Sequence, residues 1–172
     1  MIELDKYKML FCWTDDAEIE VTDNFKAGEF CSRKKYPWFI SKLLIEKLQI
    51  MRNLIKIPIG INSGWRGPVH NSSIGGAAKS RHMIGLAADI KVKGKTPLEV
   101  AGLAYAIGIR RIGIARTYVH VDIAPGEAYW LYKGVRLPML QRRKDLGMED
   151  EIVSNIKLEA AKWEVALDTL SL

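Results

Sequence analysis

The stretch Ser80-Arg81-His82-Met83-Ile84-Gly85-Leu86-Ala87-Ala88-Asp89-Ile90 places a histidine and an aspartate on either side of a glycine and runs into an apolar, β-prone segment. His82 falls just before the predicted strand 87–92 and Asp89 falls on it. Gly85 relieves the steric limits of the loop between them, so both side chains turn the same way. Further along, Tyr118-Val119-His120-Val121-Asp122 reads as a second strand. Side chains alternate along a strand, so Tyr118, His120 and Asp122 share one face, while Val119 and Val121 share the other and supply core. Neighbouring strands bring His120 within reach of His82 and Asp89. Two imidazoles and a carboxylate are what a hydrolytic zinc keeps when it leaves a fourth position open.

Upstream, Pro37 opens a predicted amphipathic helix over 38–56, with Leu43, Leu44, Leu48, Met51, Leu54 and Ile55 at near-helical spacing. Ile57 to Ile61 reads as a short buried strand. Residues 62–76 are dense in turn formers, and a long irregular loop inside a compact domain is usually functional. The first 36 residues carry no sustained period, apart from a docking turn at 24–30 that buries Phe25 and Phe30.

Downstream, Thr96-Pro97-Leu98-Glu99 forms a capping box that starts a helix over 97–107, closed by Gly108. Arg111 to Ala115 and Tyr118 to Ile123 make a hairpin about Arg116-Thr117, and Ala128 to Tyr132 a further edge strand. Residues 133–147 are a basic connection. From Met148 a last helix places Ile152, Ile156, Trp163, Leu167 and Leu170 on one stripe. The expected architecture is α+β, a small, mainly antiparallel sheet flanked by helices, divided as a core domain at 1–132, the connection at 133–147 and the appended amphipathic helix at 148–172.

With 172 residues, the chain suffices for one domain with a proper core. Its net charge of +6 favours acidic partners without choosing among nucleic acid, anionic membrane and anionic wall polymer. Arg110-Arg111 and Arg142-Arg143-Lys144 lack interleaved stacking aromatics, which argues against a nucleic-acid site. No basic start followed by an apolar run marks a secretory signal, and the longest apolar run, 100–109, is about half the length that a bilayer span needs. Cys12 and Cys31 read as two ordinary thiols.

Taken together, Ser80-x-His82-x-x-Gly85-x-Ala87-x-Asp89-Ile90 and Val119-His120-Val121-Asp122 resemble the zinc D-Ala-D-Ala carboxypeptidase family, peptidase family M15, and within it the small single-domain proteins of bacteria and their phages. Phe25-Lys-Ala-Gly-Glu29-Phe30, Ile61-Asn-Ser63-Gly64-Trp65-Arg66 and the run from Asn71 to Gly75-Gly76 extend the resemblance over about residues 22–130. It implies the fold shared by those carboxypeptidases and hedgehog domains, one zinc per chain on His82, Asp89 and His120, and Arg66 as the group that grips substrate or polarises its carbonyl. Many members place an acid three positions before the last histidine, where this chain has Thr117, which cannot accept a proton from zinc-bound water. Asp122 is the first candidate for that catalytic task, and it reads equally well as a partner orienting His120. Ser80 and Tyr118 are candidate substrate contacts, with Tyr118 suited to stabilising an oxyanion.

The function so implied is hydrolysis of a peptide bond next to a D-amino acid in peptidoglycan, by a carboxypeptidase or an endolysin-like endopeptidase. A protein of this kind without a signal would stay cytoplasmic until released, or travel in a virion. The alternatives are a non-catalytic zinc-containing module and a phage tail or assembly component, which self-associates or contacts the virion through the last helix.

Overall fold

A computed structural model of the chain describes residues 5–31, 37–137 and 147–169. Among the described residues, three sheets and four α-helices make an α+β fold. The principal sheet contains β5 (Ile59–Ser63), β6 (Ala87–Val92), β7 (Arg111–Ile114), β8 (Val119–Asp122) and β9 (Ala128–Leu131), in the order β5-β6-β8-β7-β9. Every neighbouring pair is antiparallel except β7 and β9. The expected hairpin is present as β7–β8, and the expected edge strand as β9.

One face of this sheet builds the core. Ala88, Ile90, Ile112, Val119 and Val121 are fully buried, packed with Leu44, Ile45, Leu48 and Met51 of α1 (Lys42–Ile55) and with Ala101, Leu103 and Ala104 of α3 (Pro97–Ala106). The capping box is as read: Thr96 Oγ1 accepts from the Glu99 amide, and Glu99 accepts from the Thr96 amide at 2.8 Å. Gly108 follows at φ +85°.

The helix expected over 38–56 begins later, at Lys42. Trp38–Ser41 is a strand, β4, paired antiparallel with β1 (Met9–Cys12) so that Leu10 faces Ile40 and Phe11 faces Phe39. Trp38, Ile40 and Ser41 are completely buried there. The aromatic and β-branched run suits a pleated surface better than a helix, and Ser41 supplies the true cap, its Oγ accepting from the Leu44 amide. A small ribbon, β2 (Glu20–Thr22) with β3 (Phe25–Lys26), carries the docking turn, and Phe25 and Phe30 are buried as expected. Within the long loop, Pro68–Ser73 forms a short helix, α2, with its proline in the first turn.

Of the stripe on α4 (Met148–Thr169), Ile152 and Ile156 are buried in the core, Trp163 is half-buried against it, and Leu170 lies outside the described residues. The helix packs along α3, where a Cβ on Gly102 would come within 2.3 Å of Glu159 Cβ. Ile152, Ile156 and Trp163 therefore face their own domain. The middle of the basic connection, 138–146, is outside the described residues. Cys12 and Cys31 are buried thiols with no disulfide between them.

Candidate metal centre

Strand register brings the site together. Ser63 of β5 lies opposite Asp89 of β6, Asp89 opposite His120 of β8, His120 opposite Gly113 of β7, and Gly113 opposite Trp130 of β9. Residues directly opposite one another put their side chains on the same face. Five strands thus contribute one row of residues, on the face away from the core. His82 joins from the turn before β6. Gly85, at φ +69°, reverses the chain there, and a Cβ on it would meet the Phe39 carbonyl oxygen at 2.5 Å. Only glycine fits both demands.

His82, Asp89 and His120 are all buried and offer ligand atoms within 4.8 Å of one another. His82 Nε2 is 3.1 Å from His120 Nδ1 and 3.2 Å from Asp89 Oδ1, and the last two are 2.9 Å apart. His82 Nδ1 donates to the Gly64 carbonyl at 2.7 Å, which leaves Nε2 with the lone pair. A tetrahedral metal with bonds of about 2.0–2.1 Å separates its ligands by roughly 3.3 Å, close to the sides of this triangle. Two imidazole nitrogens and one carboxylate oxygen, buried and prealigned, fit zinc. Among the described residues, this is the one such cluster of histidine, cysteine and carboxylate donors.

The charges agree with that donor set. Burial pushes the His82 imidazole below its ordinary 6.5, against the pull of Asp89. Burial alone would raise the Asp89 carboxyl, but hydrogen bonds and charge from His120 and His82 hold it far below the usual carboxylate range. The His82 imidazole is thereby kept neutral and the Asp89 carboxylate ionised, as ligands must be. Arg66, whose Nε donates to Ser63 Oγ at 2.7 Å, places Nη2 on Asp89 Oδ2. Its guanidinium borders the cluster.

Asp122 is held by neighbours outside the triangle. It is buried on the face of His120, but its register partners are Ala87 and Arg111. Oδ2 accepts from Arg111 Nε at 2.9 Å and Oδ1 from the Ala124 amide at 2.7 Å. Neither oxygen bonds to His120. Alternation along β8 gives the face of Asp122 correctly, but not the arginine that register places beside it. Ser80 sits half-buried at the start of the turn carrying His82, and its hydroxyl makes no capping bond. His70 lies half-buried on α2, away from the triangle's hydrogen bonds.

Two residues absent from the sequence reading border the cluster. Trp130 stacks 5.2 Å from the His120 ring, over Gly113, where a Cβ would come within 2.4 Å of the indole. Tyr132, next on that face of the chain, lies 5.6 Å from Tyr118 and 6.3 Å from Trp130 by ring centroids. Burial and the Asp89 charge push Tyr132 up to about 12 and Tyr118 upward, so both phenols keep their protons at neutral pH. The signal for them is the alternation Trp130-x-Tyr132 once β9 is in register with β7.

Comparison with known proteins gives two matches. Over 45 residues, 26% of this chain, the sequence is 51% identical to the zinc D-Ala-D-Ala carboxypeptidase of Streptomyces albus G, and the match covers 18% of that protein. The chain thus corresponds to under a fifth of the relative's length. The model of the peptidase M15 family matches residues 15–124, from the turn after β1 to just past the strand that carries His120. A match over more than half the sequence that takes in all three metal-ligand candidates means that the chain belongs to the peptidase M15 family.

Proposed function

We propose that this protein is a zinc-dependent peptidase that hydrolyses a peptide bond next to a D-amino acid in bacterial peptidoglycan, with one zinc ion on His82, Asp89 and His120. The observation that carries this reading is the buried triangle of His82 Nε2, Asp89 Oδ1 and His120 Nδ1, its sides between 2.9 and 3.2 Å. Family membership supports a peptidase, and the name of the Streptomyces relative supports the D-alanyl substrate class.

A bound zinc supplies Lewis acidity and makes water nucleophilic near neutral pH. The residues supply the rest. Gly64 holds His82 in the ligating tautomer. Arg66, braced by Ser63, engages the substrate's carboxylate or scissile carbonyl. Tyr118, a protonated phenol backed by Tyr132, donates to the developing oxyanion. Ser80, at the mouth of the same turn, contacts the peptide. Asp122 already gives both oxygens to Arg111 and Ala124, so its part is to brace β8 against β7.

Elemental analysis of purified protein tests the metal. About one zinc per chain is expected from one three-ligand site, lost on His82→Ala or Asp89→Ala, and a metal-free native protein overturns the reading. Mass spectrometry of digested peptidoglycan tests the reaction and identifies the bond. Muropeptides left intact by zinc-loaded protein would instead make this a zinc-containing binding module.

A further inference from the structure

A second row of residues runs beside the one that holds the metal centre. Lys91 of β6 lies opposite Gly60 of β5, and continuing the β6–β8 register one residue past Ile90 and Val119 puts it opposite Tyr118. Side chains alternate along a strand, so Lys91 shares the face of Asp89, while Ile90 between them is buried in the core. At roughly 3.4 Å per residue, the two rows are about 7 Å apart. Gly60 gives the lysine room to lie down. A Cβ there would meet Lys91 Cγ and Cε, both at 3.4 Å, so the alkyl chain runs over β5 instead of standing straight out into solvent. On the other flank of the triangle Ala87 and Asp122 are buried, whereas Lys91 is exposed and Tyr118 half-buried. The face is therefore more open to a bound chain on the side of Lys91.

The charges on this face select what lies there. On the five strands they are Asp89, Lys91, Arg111 and Asp122. Asp89 is paired with Arg66, and Asp122 with Arg111. Among the described residues no carboxylate pairs with Lys91. Lys93 stands past the end of β6, and Lys95 pairs with Glu99. Lys79 and Arg81 belong to the turn that leads to His82, and Arg116 to the β7–β8 turn. The ammonium of Lys91 is thus the uncompensated charge on the sheet beside the reacting centre, and a compact ammonium on a flexible stem suits a carboxylate. Stem peptides offer such groups away from their chain end, since a γ-linked D-glutamate leaves its α-carboxylate free and a diaminopimelate residue adds another.

We propose that Lys91 is a specificity residue that binds a side carboxylate of the stem peptide, so that the site prefers stems whose side carboxylates are free over stems in which they are amidated. The proposal rests on the peptidoglycan reading above and narrows its substrate. Arg66 keeps the part nearest the bond that is cut, and Lys91 reads the chain one row away.

The test uses full-length protein and two synthetic peptides, acetyl-L-alanyl-γ-D-glutamyl-meso-diaminopimelyl-D-alanyl-D-alanine with both side carboxylates free and the same peptide with both amidated. Titration calorimetry on chelated protein reads binding without cleavage. The natural protein should bind the free-acid peptide about tenfold more tightly than the amidated one. Lys91→Met should abolish that preference by weakening the free-acid peptide, and Lys91→Arg should keep it. Lys93→Met, the same change of charge two residues on, should keep it as well. Lys91 is exposed, and circular dichroism checks that each variant is folded. Equal binding of the two peptides by the natural protein, a preference that survives Lys91→Met, or one lost to the same extent in Lys93→Met overturns the proposal. Incubation of the peptides with zinc-loaded protein tests the reaction separately. A preference that depends on Lys91 without cleavage of either peptide would support the contact and defeat the proposed reaction.

Discussion

Gly113 is the member of the five-strand row that has no side chain, and Trp130 occupies the space this leaves. The indole comes to rest against His120, and the Tyr132 ring lies against both Trp130 and Tyr118. Tyr132 can thereby orient Tyr118 without having to touch substrate. An aromatic pair is worth about 1 kcal/mol beyond its buried area, or roughly a fivefold change in rate. Tyr132→Leu, which removes the ring, is expected to lower kcat by about that factor, with KM and zinc content unchanged. An unaltered kcat would leave Tyr132 no part in orienting Tyr118. At this scale the sequence disclosed the three residues that cluster, because histidine and aspartate stand out against an apolar strand. It concealed Trp130, Tyr132 and the engagement of Asp122 by Arg111, since each depends on which residues face one another across strands far apart in the chain.

Elements with local punctuation were readable without coordinates. The helix after Thr96, the hairpin through residues 116–117 and the helix beginning at Met148 carry their own caps, turns and periods. β1 and β4 were not, because each is four residues long and makes sense only beside the other. Pro37 and the leucines after it favour a helix, and tertiary pairing overrides them as far as Ser41. The contact between α3 and α4 offers a sharper test of packing. Replacing an exposed helical glycine by alanine gains up to about 1 kcal/mol. At Gly102, however, the added methyl would lie 2.3 Å from Glu159 Cβ and 2.8 Å from the Glu159 carbonyl carbon, so the two helices must separate. Overpacking of that kind costs about 1–3 kcal/mol. Gly102→Ala should therefore destabilise the protein by about 1–2 kcal/mol net in urea denaturation, and a stabilised variant would mean that the helices part easily.

At the scale of the whole molecule, His82 and Asp89 both tie the stability of the metal-free state to pH in the same direction. His82 titrates below its ordinary 6.5 in the fold, so the unfolded chain takes up its proton first, and the stability that His82 contributes is present above that pH and lost as pH falls. Asp89 is depressed below 3.8 and likewise contributes above that value and less beneath it. Chelated protein should accordingly melt at a lower temperature at pH 5 than at pH 7, by a few degrees for each ~1 kcal/mol lost. Thermal scans in a chelating buffer decide the point, and a flat or rising midpoint contradicts it. The row Ser63–Asp89–His120–Gly113–Trp130 also bears on synthesis, since it takes one residue from each of five strands. On the ribosome, a nascent chain that has emerged only through β6 holds two of the three ligand candidates. It gains the third with β8 and the indole beside it with β9, so the candidate metal centre would stay unassembled until most of the polypeptide had been made.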